Sequence, residues 1–138
     1  MTYMLNDENR TDYASMADAL IPRAEGMPSA SDADVPTQWI DKALEYRPDL
    51  ESSFIRALNF ASGKDAAVAI DSLNREDAEA FDSLGVLTSG AYFLNPEVKK
   101  LLGYPGQVPS PANDDVDTYS DMLSRVLERG PIFRPTVN

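Results

Sequence analysis

The sequence predicts an all-α protein, a compact bundle of about five to seven helices, and three observations carry that expectation. Apolar residues recur at helical spacing in successive segments, no run shows the sustained alternation of a strand, and proline, glycine and Asx residues punctuate the segments at cap positions. At 138 residues the chain has the length of one domain. The expected organisation is a single helical domain over 1–138, with a flexible N-terminus at 1–10, a Pro/Asp-rich loop at 107–117 and an extended docking tail at 131–138.

The first helix follows from Tyr13, Met16, Ala17, Leu20 and Ile21, with Thr11 or Asp12 placed to cap its start and Pro22 near its end. A Gly/Pro/Ser/Asp-rich loop covers 24–34. Val35, Trp39, Ile40, Ala43 and Leu44 then restore the stripe, and Pro36 suits a first helical turn. After Pro48-Asp49, the residues Leu50, Phe54, Ile55, Leu58 and Ala61 give a third helix that ends near Gly63. A brief helix is expected over 66–73, with Asn74 as the cap of the next one and Asp77 in its first turn, where the helix dipole favours negative charge.

That next helix is long. Ala80, Phe81, Leu84, Leu87, Thr88, Ala91 and Leu94 share one side, and Val86, Gly90 and Phe93 add apolar or small surface on another, so it should be the most buried and lie at the centre. Asn95-Pro96 stops it and starts a further turn, in which Val98, Leu101 and Leu102 should be buried. Gly103 suits the left-handed residue after a helix, and Tyr104-Pro105-Gly106-Gln107 has the residues of a type II turn. Tyr119, Met122, Leu123, Val126 and Leu127 predict a last helix, ended by Gly130-Pro131.

The composition narrows function. A formal charge of -11 repels phosphate backbones and anionic lipid, so nucleic acid is not expected as a partner. The chain has no cysteine and no histidine. Thiolate chemistry, zinc-cysteine sites and a Ser-His-Asp arrangement are excluded, and no side chain has an unperturbed pKa near neutrality. Proton transfer would need a carboxylate or lysine with a strongly shifted pKa. No run is apolar enough to insert in a membrane, and the first residues lack a secretory or twin-arginine signal, which points to a cytoplasmic protein.

Several motifs fail on inspection. Ser62-Gly63-Lys64 would end a phosphate loop only with Gly in place of Leu58 and Ser or Thr in place of Asp65. Asn113, Asp115 and Asp117 have alternate calcium-loop spacing, but Thr118 and Ser124 occupy the glycine and glutamate positions. Asp32 and Asp34 read as cap candidates. Asp41 with Glu45, and Asp77 with Glu79, are the only carboxylate pairs worth weighing for acid or base work, and solvated helix faces account for them better. Trp39, Phe54 and Phe81 belong to core stripes, whereas Tyr92, Phe93, Tyr104 and Phe133 fit either a core or an interface.

Ala17-Asp18-Ala19-Leu20-Ile21-Pro22, the loop from Met27 to Val35, the helix Trp39-Ile40-Asp41-Lys42-Ala43-Leu44, and Asn95-Pro96-Glu97-Val98 with Gly103-Tyr104-Pro105-Gly106 together resemble the gluconate 2-dehydrogenase subunit 3 family, over roughly Asp12 to Gly106. The resemblance implies a small helical subunit that accompanies a large flavin-dependent subunit of the glucose-methanol-choline (GMC) oxidoreductase type, acting on sugars, sugar acids or related alcohols. FAD and the catalytic groups would then sit in the partner, this chain would hold no cofactor or metal, and the assembly would be a hetero-oligomer. The family supplies no catalytic motif to carry over. Such subunits often carry a twin-arginine export signal, and its absence here favours a cytosolic pair. The expected interface is the Tyr92-Phe93 helix end, the turn at Tyr104 and Pro105 with Gln107 after it, and the tail residues Ile132, Phe133 and Arg134. A different reading is a free-standing helical binding or regulatory domain whose acidic face meets a basic protein.

Overall fold

The computed structural model describes residues 5–110 and 115–132, and among them the protein is all-α. Its α-helices are α1 (Asp7–Leu20), α2 (Ile40–Tyr46), α3 (Glu51–Ala61), α4 (Ala66–Glu76), α5 (Ala78–Leu94), α6 (Pro96–Leu101) and α7 (Val116–Arg129). A π-helical turn, Val35–Trp39, leads into α2, and a 3-10 turn, Pro48–Leu50, leads into α3. Where one domain was expected, the chain divides into two compact units, 1–106 and 107–138.

In the first unit α5 is the central element, packed against α2, α3, α4 and α6. Its buried face is Ala80, Ser83, Leu84, Leu87, Thr88, Ala91 and Tyr92. The other apolar side behaves differently from expectation, because Val86 and Phe93 are about half exposed and Gly90 is exposed. One helix cannot be covered on all sides by the few others that a unit of this size supplies. Phe54 is fully buried, with its ring edge-on to Tyr13 at 5.2 Å and 82°. Trp39 and Phe81 lie at the edge of the core, only partly buried.

Buried polar groups on these helices find partners within the core. Tyr13 Oη and Thr88 Oγ1 share a hydrogen bond of 3.0 Å between α1 and α5. The Ser53 hydroxyl bonds Ser83 at 2.7 Å, and Ser83 donates to the Glu79 carbonyl at 2.9 Å. No buried side-chain nitrogen or oxygen among the described residues lacks a partner. Burial holds the Tyr13 phenol protonated well above its ordinary pKa of 10.0, against the smaller opposing effect of the Thr88 bond. An acid whose folded pKa is raised contributes fully below its unfolded pKa and destabilises the fold as pH rises above it. Stability should therefore fall above pH 10 by up to about 1.4 kcal/mol per pH unit on account of Tyr13. Tyr13→Phe should remove that part of the slope, measured by urea unfolding at pH 9 to 11, at a constant cost of about 1 kcal/mol for the lost bond.

Several element boundaries differ from the sequence expectation, each for a local reason. Helix α1 begins at Asp7, not after residue 10, because Asn6 Oδ1 accepts from the Asn9 amide at 2.7 Å. Leu5 is buried, so residues 5–10 belong to the fold, and Thr11 spends its hydroxyl on the Asp7 carbonyl within the helix. Helix α4 runs on to Glu76, and Asp77, not Asn74, caps α5: its backbone leaves the helical region, φ -144° and ψ 77°, and its carboxylate accepts from Ala80 N at 3.1 Å. Only Val98 of the expected α6 trio is buried, while Leu101 and Leu102 are more than half exposed. The loop expected over 107–117 gives way to α7 at Val116, where Asp115 accepts from the Thr118 amide and hydroxyl. Those two bonds hold the Asp115 carboxyl below the usual carboxylate range.

The 24–34 loop is built by short-range bonds. Ala24 and Met27 exchange both backbone hydrogen bonds around Glu25 and Gly26, which have φ of 50° and 82°, the signature of a type I′ turn. Ser29 and Asp32 then satisfy each other's amides, a capping-box exchange around one helical turn, and Asp32 also takes the Arg23 guanidinium. Asp34 caps nothing with its side chain and sits in left-handed backbone, φ 57°, at the entry to the π-helical turn. The loop is fastened to the helices by Ser31 N donating to Asp18 at 2.7 Å and Ala30 N donating to the Ile21 carbonyl at 3.0 Å.

Candidate docking surfaces

The junction of α5 and α6 shapes the surface that the sequence singled out. Pro96 pushes Asn95 into extended geometry, φ -66° and ψ 119°, and its side chain then works in both directions. Asn95 Oδ1 accepts from Glu97 N at 2.9 Å, capping α6, and Nδ2 donates to the Ala33 carbonyl at 2.9 Å. One turn earlier, the Tyr92 hydroxyl donates to the Pro28 carbonyl at 2.7 Å. Both bonds tie the helix junction to the 24–34 loop.

Tyr92 is thus a structural residue, only 4% exposed, and is not available as a surface anchor. Its neighbour Phe93 points to solvent at 50% exposure with its ring edge-on to Tyr92 at 5.4 Å. Helix α6 ends in a Schellman arrangement: Gly103 N bonds the Lys100 carbonyl, Tyr104 N bonds the Lys99 carbonyl, and Gly103 takes φ 71°. That reversal leaves Leu101, Leu102, Tyr104 and Pro105 on the outside. Tyr104 and Pro105 line a shallow depression of about 300 Å³ with Pro96, Lys99 and Lys100. Gly106 takes a positive φ of 82°, which glycine accepts without strain, and no hydrogen bond among the described residues closes the expected turn from Tyr104 to Gln107.

In the second unit, Gln107 and Ile132 are exposed, and Phe133 and Arg134 lie outside the described residues. The main feature of this unit is α7. Val116, Tyr119, Met122, Leu123, Val126 and Leu127 are all exposed, and α7 has no buried residue. At 100° per residue these six fall within an arc of about 140°, a width that fits a helix seated between two neighbours. The periodicity marks five of them as a helix stripe and leaves open what covers it, and none of the six is among the expected interface residues. The same spacing describes a face already covered and a face awaiting cover.

Among the described residues, the candidate carboxylate pairs are ion-paired and so are poorly placed for acid or base work at neutral pH. Each carboxylate of the two candidate pairs is matched by a cation: Asp41 by Arg10 at 2.8 Å, Glu45 by Lys42 at 3.0 Å, and Asp77 and Glu79 by Arg56. The Arg56 guanidinium and the Ala80 amide hold the Asp77 carboxyl below its usual range, the opposite of what a general acid needs. The Arg10 guanidinium also donates to the Pro36 carbonyl at 2.8 Å, fixing α1 against the π-helical turn. Among the described residues no group of three acidic side chains is placed to hold a metal ion, and no helix is long and apolar enough to cross a membrane.

Comparison of the chain with protein-family models, with curated proteins and with solved structures returns no match.

Proposed function

We propose that this chain is a non-catalytic small subunit that binds and stabilises a large FAD-dependent oxidoreductase of the GMC type, acting on sugars or related alcohols. The observation that carries the partner-binding part is α7, fourteen residues with a continuous apolar stripe and no buried side chain. Six apolar side chains of this size, once covered, contribute roughly 10 kcal/mol of gross burial, of the same order as the cost of association, so α7 supplies an anchor that further contacts complete. The second support is chemical: a chain with neither histidine nor cysteine, whose candidate carboxylates are each ion-paired, is better suited to holding a catalytic partner than to catalysis. The flavoprotein identity of that partner rests on the sequence resemblance. On this reading Tyr104, Pro105 and Phe93 add a second contact area, and the partner supplies FAD.

Co-expression with a GMC-type flavoprotein subunit, sought first among the genes neighbouring this chain's, tests the reading. Co-purification of the two, with the large subunit's melting temperature raised by its small partner, is the expected result. A purified chain that oxidises a sugar alone would overturn the non-catalytic assignment. A chain that ignores the flavoprotein and binds a basic protein would favour the free-standing regulatory domain.

A further inference from the structure

Helix α5 contains two glycines that the chain itself does not explain. Gly85 and Gly90 keep ordinary helical backbone, and a Cβ built at either would meet no atom within 4 Å. Neither position needs a left-handed conformation or a close internal approach, yet glycine weakens a helix interior relative to alanine. Gly90 opens onto a groove of about 180 Å³ between α2 and α5, with Ala43 and Leu87 as its floor and Tyr46, Val86 and Leu94 along its sides. Tyr46 is 64% exposed and Val86 48% exposed, which leaves apolar walls facing water.

We propose that this groove is a docking site for an amphipathic helix of a partner protein, one whose apolar face is flanked by lysine or arginine. Val86, Gly90 and Leu94 follow one another at four-residue spacing along α5 and form a ridge with a notch at Gly90. Such a notch lets a crossing helix seat a side chain against bare backbone and approach closer than the usual 8–10 Å between axes. The one charged side chain that lines the groove, Arg47, is bound by Asp49, and the rest of the lining is apolar, which favours a helix over a small polar ligand as occupant.

Charge selects the kind of helix. The cation that lines the groove, Arg47, is neutralised by Asp49 at 2.7 Å, and Lys42 on α2 is engaged by Glu45 at 3.0 Å. Asp82, one turn before Val86, is exposed and has no ion-pair partner among the described residues. With a formal charge of -11 on the whole chain, the field at the rim favours a basic partner and disfavours a second copy of this chain. The inference stands on residues other than α7 and does not depend on the partner being a flavoprotein.

The test uses the full chain and a synthetic helix of about 18 residues with leucine and alanine on one face and lysine on the other, long enough for some five turns. Binding is followed by fluorescence anisotropy, and the site by amide shifts in isotope-labelled protein. The expected result is micromolar binding, with the largest shifts at Ala43, Tyr46, Val86, Gly90 and Leu94. Gly90→Leu should weaken it about tenfold or more without lowering the melting temperature, since it fills the notch and removes a helix glycine. A glutamate version of the peptide should bind at least about tenfold more weakly. Shifts confined to α7, no binding, or a Gly90→Leu variant that binds as well as the parent would overturn the proposal. Sedimentation showing a dimer of the chain that Gly90→Leu dissociates would assign the groove to a second copy instead.

Discussion

Replacing Leu123 and Val126 together by aspartate is expected to abolish co-purification with the large flavin subunit while leaving the melting temperature of the 1–106 unit unchanged. Both side chains lie in the middle of the α7 stripe and both are exposed, so the fold loses no buried contact. At a partner surface each would forfeit about 1.5–3 kcal/mol of burial and would carry a carboxylate into an apolar site, so affinity should fall by about a thousandfold or more. Ser124→Asp is the control, because it places the same helix-weakening residue away from the stripe and should leave assembly intact. Pull-down of the co-expressed pair and calorimetry of the isolated chain give the two readouts. Unchanged assembly in the double variant would remove α7 from the interface, and a fallen melting temperature for the 1–106 unit would mean that the stripe serves folding. The same logic predicts that a chain ending at Gly106 folds and melts like the full chain, since among the described residues every buried residue of the core lies between Leu5 and Val98.

Asn95→Ala is expected to lower stability by about 3 kcal/mol, a fall in melting temperature on the order of 15 °C for a unit of this size. The loss has two parts. The α6 cap from Asn95 Oδ1 to Glu97 N contributes about 1 kcal/mol, and the Ala33 carbonyl, left buried without the Nδ2 donor, costs about 1–3 kcal/mol more. Asn95→Asp separates them, because a carboxylate keeps the cap but cannot donate to Ala33. It should be as damaging as alanine at pH 7 and recover as pH falls, since the buried carboxyl has its folded pKa raised and its protonated form donates again. The sign follows from linkage: stability is fully present below the unfolded pKa of about 3.9 and is lost as pH rises through the folded value. Thermal unfolding of both variants from pH 3 to 7 checks this. A flat pH profile for the aspartate variant would show that the Ala33 bond contributes little.

Position by position, the local elements were legible and the covering of their faces was not. The stripes of Tyr13-Met16-Ala17 and Phe54-Leu58-Ala61, the helix after Pro36 though not its π-helical start, the stop at Asn95-Pro96 and the Gly103 reversal were readable because each depends on residues within one or two turns. Boundaries slipped where two cap residues competed. Asn6 took the place expected for Thr11 or Asp12, and Asp77 the place expected for Asn74, because a cap is chosen by where the flanking backbone leaves the helical region. Among the candidate site residues, Tyr92 and Phe93 show the limit most clearly. They are neighbours about 100° apart on one helix, equally apolar in pattern. Only the position of the Pro28 carbonyl, brought close by a loop 64 residues away, makes Tyr92 structural and leaves Phe93 outside.

The sequence by itself determined that the chain is helical, acidic and without imidazole or thiol chemistry, because periodicity, charge and residue type are properties of the chain at short range. Tertiary structure decided which apolar faces are filled: within the first unit the α5 face bearing Leu84 and Leu87 is, whereas the second unit by itself buries no residue of the α7 face bearing Leu123 and Val126. An amphipathic stripe states only that a helix must hide one side from water. What hides it depends on how many other elements the chain can bring to that place, and for α7 the answer proposed here is a partner.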